Sequence, residues 1–526
     1  MENSKGEIAG TLERCRNFRY WLILEGVAVG ALAGVVIVGV RQALEGAAVL
    51  LNKLLAYGGA HPWAAVAWFG ALAVAAVLVS LLLKWEPMIS GSGIPQVEGE
   101  ILGEFEQSWW KVLLAKLAGG LLSLGCGLSL GREGPSIQLG AMVGKGFSRL
   151  TKRVKTEEKL LITCGASAGL AAAFNAPLAG VLFSLEEIHK HFSPDILLPS
   201  LASAITADFV SRQVFGLAPI FDLNMGSMLP LHYYGHVIVL GIIIGALGVV
   251  YNTTLSKTQD LYEKIPVRTV RVLIPFLLAG VFGFLYPAVL GGGNALVEGA
   301  SHGAVMVGAM VTLLFFKFVF SMLSFGSGAP GGIFLPLLVM GALIGGIYCE
   351  SVSRIDGTVA GYISNFVILG MAGFFSAIVR APVTGVILIT EMTGNTSNLL
   401  TLAMVSLAAY LVPDILRCLP VYDQLLNRLL AKYHTASPAD DLPNEEKVLV
   451  EGIVGHVSEA NGLTIAQVHW PDGCLVVSIM RGEDEFVPRS KIPLRGGDKL
   501  AVLCDSSMEG ELRRTMNEFC ANVSIK

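Results

Sequence analysis

The stretch Leu130-Gly131-Arg132-Glu133-Gly134-Pro135 lies between two largely apolar runs, Leu113–Leu130 and Ser136–Gly144. A charge at the centre of a membrane-spanning helix costs roughly 2.5–3.5 kcal/mol on insertion scales. Two glycines and a proline surround Glu133, so the backbone is expected to break there and a new helix to start just after it. A helix start offers free N–H groups and the positive end of a dipole, both of which attract anions. One short stretch therefore holds a candidate anion site and a negative side chain able to compete for it.

The surrounding composition sets the class. Of 526 residues, 53% are hydrophobic and 15% charged, with a mean hydropathy of +0.64. That excludes an ordinary soluble protein and predicts an all-α polytopic membrane protein of the cell membrane. Trp21–Val40, Ala64–Leu83 and Val270–Leu290 are long enough to cross a bilayer core, and Val237–Val250 and Leu399–Val412 read the same way. The net charge of −4 carries no argument about partners, and nothing points to nucleic acid. The opening residues are not expected to be a signal peptide, because the first apolar run starts only at Trp21 and is too long for one. The eight cysteines are scattered without a CxxC pair, so they read as small apolar fillers and no metal site is expected.

Charge orients the chain. Lys5, Arg14, Arg16 and Arg19 mark residues 1–20 as a cytoplasmic tail, and Arg149, Lys152, Arg153, Lys155 and Lys159 mark a second cytoplasmic loop. The small-residue run Cys164–Leu185 ends at Glu186-Glu187, just before His189, Lys190 and His191. Those two carboxylates are expected near a cytoplasmic mouth.

An internal repeat sharpens the choice of functional residues. Shifted by 201 positions, Lys116, Leu122, Ser123, Gly125, Gly127, Gly131, Pro135, Gly140, Ala141 and Gly144 all meet identical residues, from Lys317 to Gly345. At a shift of 205, Ala176, Pro177, Gly180, Val181 and Glu186 meet Ala381, Pro382, Gly385, Val386 and Glu391. Repeats with Gly/Pro-broken segments at corresponding places point to a transporter whose site lies at the repeat interface. The repeat alone leaves open whether the halves are parallel or inverted. Lys116 and Glu186 have charged counterparts in Lys317 and Glu391, which reads as shared scaffold. Glu133 falls on Phe334 and Glu187 on Met392. Charges present in one half only are the better functional candidates.

Three segments could each contribute to one anion site. Gly134-Pro135 and Gly332-Ile333-Phe334 would present backbone N–H groups at helix starts, and Ser92 lies between two glycines. Tyr422 could add a phenolic hydroxyl near the cytoplasmic end. Backbone donors hold an anion without a full charge that would trap it. Turns between helices and an interfacial tyrosine are the simpler readings of each segment taken singly.

These motifs resemble the CLC family of chloride channels and proton–chloride antiporters. Its three signatures stand here as GSGIP (91–95), GREGP (131–135) and GIFLP (332–336), joined by GLAAAFNAPLAGVLFSLEE (169–187). The resemblance covers about residues 20–433. It implies two inverted-topology repeats with broken helices, about 21–215 and 233–433, in a transport domain of residues 21–433. It implies chloride held by the hydroxyls of Ser92 and Tyr422 and the amides of Gly134, Ile333 and Phe334. It further implies that Glu133 is the gate and Glu187 the internal proton-transfer residue of the antiporter branch, where channels commonly have an apolar residue. Ser92 rather than proline favours chloride over nitrate, and the intact GREGP and GSGIP argue against the fluoride branch. The family is homodimeric, with one pathway per protomer. A secondary-active antiporter exchanging chloride for protons is the leading expectation; a passive voltage- or pH-gated chloride channel is the alternative, with Glu187 as discriminator. No cofactor is expected beyond the transported chloride.

Residues 434–447 read as a linker, and residues 448–526 as a small cytosolic α+β domain. Strands are expected at Val448–Val457, Gly473–Met480, Glu485–Val487 and Lys499–Cys504, and helices at Leu463–His469 and Met508–Phe519. Gly455–Asp505 resembles the TrkA-C (RCK C-terminal) domain through LVVSIMRGEDEFVPRSKIPLRGGDKLAVL (475–503). That resemblance implies dimerisation and a small-molecule or nucleotide regulator, and it departs from the CBS domains usual in CLC tails. No phosphate loop is present, and Arg481, Arg489, Lys491 and Arg495 read as a solvated face. A membrane-embedded enzyme is disfavoured. Glu186-Glu187 does not form HExxH, and the Gly-x-Ser-x-Gly match at 165–169 lacks a preceding strand and reads as close helix packing.

Overall fold

The computed structural model describes residues 2–190, 192–221, 223, 228–301, 306–436, 447–455, 457–471, 473–481, 484–486, 488–489, 492–505 and 508–520. Most of the linker expected at 434–447, and Lys491 of the expected basic face, lie outside the described residues. The chain divides into two compact units. The first comprises Met1–Val97, Ser108–Arg153 and Leu160–Asn427; the second comprises Glu98–Gln107, Val154–Lys159 and Arg428–Lys526.

The helices of the first half are α1 (Glu2–Ala60), α2 (Pro62–Trp85), α3 (Ile94–Leu102), α4 (Trp109–Gly125), α5 (Glu133–Leu150), α6 (Lys155–Phe174), α7 (Pro177–Phe183) and α8 (Pro194–Phe215). Those of the second are α9 (Tyr234–Glu263), α10 (Arg268–Leu285), α11 (Asn294–Ser301), α12 (Val307–Gly326), α13 (Phe334–Ser353), α14 (Ile363–Val379), α15 (Pro382–Thr393) and α16 (Leu399–Ile415), followed by α17 (Val421–Ala436). The two series run in step, so α5 and α13 correspond, as do α7 and α15. Among the described residues, seven stretches have the length and apolarity of membrane spans, including Tyr20–Ala60 and Pro62–Trp85. Leu399–Ile415 is apolar but shorter. The polar opening residues belong to α1, which begins at Glu2.

The two halves meet at equivalent residues. Gly131 and Gly332, equivalent in the repeat, pair as an antiparallel bridge. Each donates its N–H to the other's carbonyl at 2.7 Å. Antiparallel pairing of equivalent residues places a local two-fold axis between them. α5 and α13 then start back to back, two residues beyond the bridge.

Helix contact in the core is set by glycine. A Cβ on Gly140 would stand 2.1 Å from the Gly165 carbonyl oxygen, and one on Gly165 would stand 2.1 Å from that of Gly140. The sister pair Gly341 and Gly370 repeats this at 2.4 and 2.1 Å. The Gly-x-Ser-x-Gly match therefore lies in the middle of α6, as a packing surface. Gly140→Leu is expected to cost more than about 3 kcal/mol, because the clash is with backbone. Size-exclusion chromatography in detergent should show loss of the monodisperse protein. Gly39→Leu, with open space around its Cβ, should elute as wild type.

In the second unit, β1 (Lys447–Ile453), β2 (Leu475–Arg481), β3 (Asp484–Phe486) and β4 (Lys499–Asp505) form an antiparallel sheet in the order β1-β4-β2-β3. α18 (Glu509–Cys520) covers a core that includes Val450, Ile479, Val502, Leu512 and Met516. The helix expected at Leu463–His469 is absent. Thr464 instead bridges Pro493 and donates to Gln467 Oε1, so local side-chain bonds replace helical ones. Asp498 is buried and takes both Arg481 Nε (2.7 Å) and Nη2 (2.6 Å). Burial pushes its carboxyl pKa up, but the Arg481 and Arg495 contacts outweigh this and hold it below the usual carboxylate range. Arg481 thus serves an internal ion pair.

Candidate anion site at paired helix starts

α5 begins with Arg132 as N-cap and Glu133 as its first residue, and α13 begins with Ile333 and Phe334 in the same places. The proline of each motif stands in the first helical turn, where its missing N–H costs nothing. A Cβ on Gly332 would stand 3.1 Å from the Gly134 nitrogen, and one on Gly131 would stand 3.1 Å from the Leu335 nitrogen. Each bridge glycine thus lies against an amide of the opposite helix start. A side chain at either position would fill that space.

Ser92 is 2% exposed and closes the site from a third element. Its Oγ accepts from the Ile94 N–H at 3.3 Å, so it caps α3. A Cβ on Gly134 would stand 2.8 Å from Ser92 Cβ, so glycine at 134 lets the serine approach the α5 start. Lys116, fully buried, fixes the Ser92 loop by donating to the carbonyls of Ile89 (2.9 Å) and Gly91 (2.7 Å). Lys317 makes the matching bonds to Val289 (3.0 Å) and Gly291 (2.6 Å). Gly91 and Gly93 have φ of +64° and +94°, and Gly291 and Gly293 have +57° and +92°. The two loops share one conformation, which makes Gly292 the counterpart of Ser92. The paired lysines are scaffold, as the repeat suggested. Ser92 joins Glu133 and Glu187 as a polar group that the sister half lacks.

Glu133 is fully buried. Its Oε2 would be 2.2 Å from a Cβ on Gly131, on the side where the Leu335 nitrogen lies. The amides of Glu133 and Leu335 act on the carboxylate, and Arg132 Nε stands 4.0 Å from Oε1. The carboxylate therefore occupies the space between the two helix starts. The Leu335 amide is a participant that sequence reasoning did not single out beside Ile333 and Phe334.

Tyr422, on the first turn of α17, is fully buried, and its hydroxyl has no hydrogen-bond partner among the described residues. Its ring stands edge-on to Phe183 at 6.2 Å, and Phe183 meets Phe334 at 5.8 Å. Aromatic packing thus ties Tyr422 to the α13 start. Glu187 is 4% exposed and lies on the π-helical turn Ser184–Ile188 that ends α7. That turn follows directly on Phe183, the ring that meets Tyr422. Neighbouring Glu186 faces elsewhere. It accepts from the amides of Val383 (3.3 Å) and Thr384 (2.8 Å) at the start of α15. Glu391 reciprocates on Leu178 (3.1 Å) and Ala179 (2.8 Å) at the start of α7. The paired glutamates are mutual helix caps.

The structure thus brings Ser92, Glu133, Gly134, Ile333 and Phe334 together, with Tyr422 joined through Phe183 and Glu187 behind it. A family model described as voltage gated chloride channel matches residues 74–414. A second, the TrkA-C domain, matches residues 449–517. The H(+)/Cl(-) exchange transporter ClcA of Yersinia pestis is 35% identical over 430 residues, covering 79% of this chain and 89% of that protein. The protein of the same name from Salmonella typhimurium is 34% identical over 425 residues, covering 78% and 89%. Among solved structures, a slow cyanobacterial Cl-/H+ antiporter superposes with a TM-score of 0.74 at 31% identity, covering 78% of this chain and 98% of that one. A eukaryotic CLC transporter, at a TM-score of 0.66 and 22% identity over 86% and 81% of the chains, shares the fold. The fold and the paired helix starts define a polytopic ion transporter, not an enzyme. The chain belongs to the CLC family and carries a TrkA-C domain at its C-terminal end.

Proposed function

We propose that this protein is a secondary-active antiporter of the cell membrane, exchanging chloride for protons. Chloride is held by the hydroxyls of Ser92 and Tyr422 and by the amides of Gly134, Ile333 and Phe334. Glu133 is the gate. Ionised, it competes with chloride for the same helix-end donors; protonated, it loses that attraction and frees the site. Glu187 delivers the proton from the cytoplasmic side, so that proton and chloride movements are exchanged. The observation that carries this reading is the fully buried Glu133 carboxylate lying between two facing helix starts. The names of the exchange transporters similar to this chain support it. Glu187 favours the antiporter over the passive channel.

Both termini are cytoplasmic in this reading, from the basic residues of the N-terminal segment and of the loop after α5. The assembly is a homodimer with one pathway per protomer. The TrkA-C domain takes a small-molecule or nucleotide regulator.

The deciding test is reconstitution into vesicles under a chloride gradient. Protons moving against their own gradient are expected. Chloride flux with no proton movement would leave the passive channel as the correct reading.

A further inference from the structure

Asn252 has no part in the mechanism above, yet it is a polar side chain buried on the apolar helix α9. It is 1% exposed. Its Nδ2 donates to two carbonyls, each at 3.3 Å. One is Ile378, near the end of α14; the other is Leu419, in the connection between α16 and α17. Its Oδ1 has no hydrogen-bond partner among the described residues. An amide that faces two carbonyls must turn its nitrogen to them, so these two bonds fix its orientation. A buried amide in a membrane helix is costly, and bonds to neighbouring elements offset that cost.

The other half shows which of the two bonds is scaffold. Gly30, Gly34 and Arg41 of α1 have the spacing of Gly241, Gly245 and Asn252 of α9. These glycines seat both helices on corresponding partners. A Cβ on Gly30 would stand 2.3 Å from the Ser203 carbonyl oxygen of α8, and one on Gly245 would stand 3.0 Å from that of Ala409 on α16. Arg41 Nη1 donates at 2.8 Å to the Ala172 carbonyl near the end of α6, as Asn252 does near the end of α14. Satisfying a late helix carbonyl is therefore common to both halves. The bond to Leu419 is different. It goes to the stretch leading into α17, the helix that follows the two matched series and carries Tyr422.

That stretch is held by side chains from outside it. Arg380, the left-handed residue that ends α14 (φ +72°), donates from Nη2 to the Cys418 carbonyl at 2.7 Å and from Nη1 to Asp414 Oδ1 at 2.9 Å. The Leu419 carbonyl takes Gln424 Nε2 of α17 at 2.7 Å as well as Asn252. Asn252 and Arg380 thus fix two successive carbonyls, and Tyr422 follows in the first turn of α17. Lys116 fixes the Ser92 loop in the same manner, through the carbonyls of Ile89 and Gly91.

We propose that Asn252 is a positioning residue for Tyr422. It holds the entry to α17, with Arg380 as a second tether, so that the phenolic hydroxyl stays where chloride can use it. This rests on the reading of Tyr422 as a chloride ligand. Asn252 acts through the backbone ahead of Tyr422 and touches neither chloride nor the transferred proton.

The test is chloride binding to the full-length protein in detergent, read by isothermal titration calorimetry. Asn252→Leu removes the donor and stays close to the side chain's size. Chloride binding should weaken about three- to tenfold, the worth of one hydrogen bond. Tyr422→Phe should weaken it by a similar factor. The double variant should bind no more weakly than the weaker single, because both changes remove the same contact. A merely structural Asn252 would lower the thermal midpoint and leave the chloride affinity of the folded protein alone. Losses that multiply in the double variant overturn the proposal. So does wild-type binding by Asn252→Leu beside weakened binding by Tyr422→Phe, which leaves the reading of Tyr422 standing. Wild-type binding by Tyr422→Phe overturns that reading and the proposal together. If Asn252→Leu does not fold, Arg380→Asn takes its place in the same cycle, with the same outcomes. Asparagine is too short to reach Cys418, and the first half already has it in the left-handed conformation at the equivalent Asn175 (φ +51°).

Discussion

Glu133→Gln is expected to keep chloride moving and to stop the protons. Glutamine matches the protonated glutamate in size and polarity, so it fits the space against Gly131 and the Leu335 amide. It carries no negative charge to compete for the helix-end donors and no proton to release. Chloride flux should persist and lose its dependence on pH. Proton movement driven by a chloride gradient should fall to that of protein-free vesicles. A pH electrode and a chloride electrode in one vesicle suspension read the two arms. Continued uphill proton movement by this variant would sink the gate assignment.

The second large effect is expected at Glu187. Its counterpart in the sister half is Met392, also fully buried, so the fold already accommodates methionine at the equivalent place. Glu187→Met should therefore fold and bind chloride while losing the group that hands the proton inward. Removal of a proton-transfer residue costs roughly a hundredfold or more in that step. Coupled proton flux should drop by at least that order, with chloride flux reduced far less. The neighbouring Glu186→Met provides the contrast. It removes a cap on α15 and should lower the thermal midpoint, through loss of about 1–2 kcal/mol. Uncoupling by Glu186→Met equal to that of Glu187→Met would mean that the π-helical turn as a whole, not the Glu187 carboxylate, carries the effect.

The sequence was informative wherever a residue type was costly in its setting. Glu133 stood out because a carboxylate in an apolar run demands a reason, and its lack of a sister residue separated function from scaffold. The same comparison marked Lys116 and Glu186 as structural. Both proved to be bonded, with their counterparts, to loop carbonyls and helix starts. The helix expected at Leu463–His469 did not form, because local composition does not reveal whether local side-chain bonds compete with a helix.

Composition, broken apolar runs and a repeat at a fixed offset determined the class of protein, its two halves, and which charges were unpaired. Those are properties of residue type and spacing. The two-fold relation of one half to the other was decided only by the tertiary structure, through the antiparallel pairing of Gly131 with Gly332. A repeat records which residues correspond but not how they are rotated onto one another. The same holds for Leu335 and Gly292. Each gains its significance from atoms far away in the chain that the fold alone brings within reach.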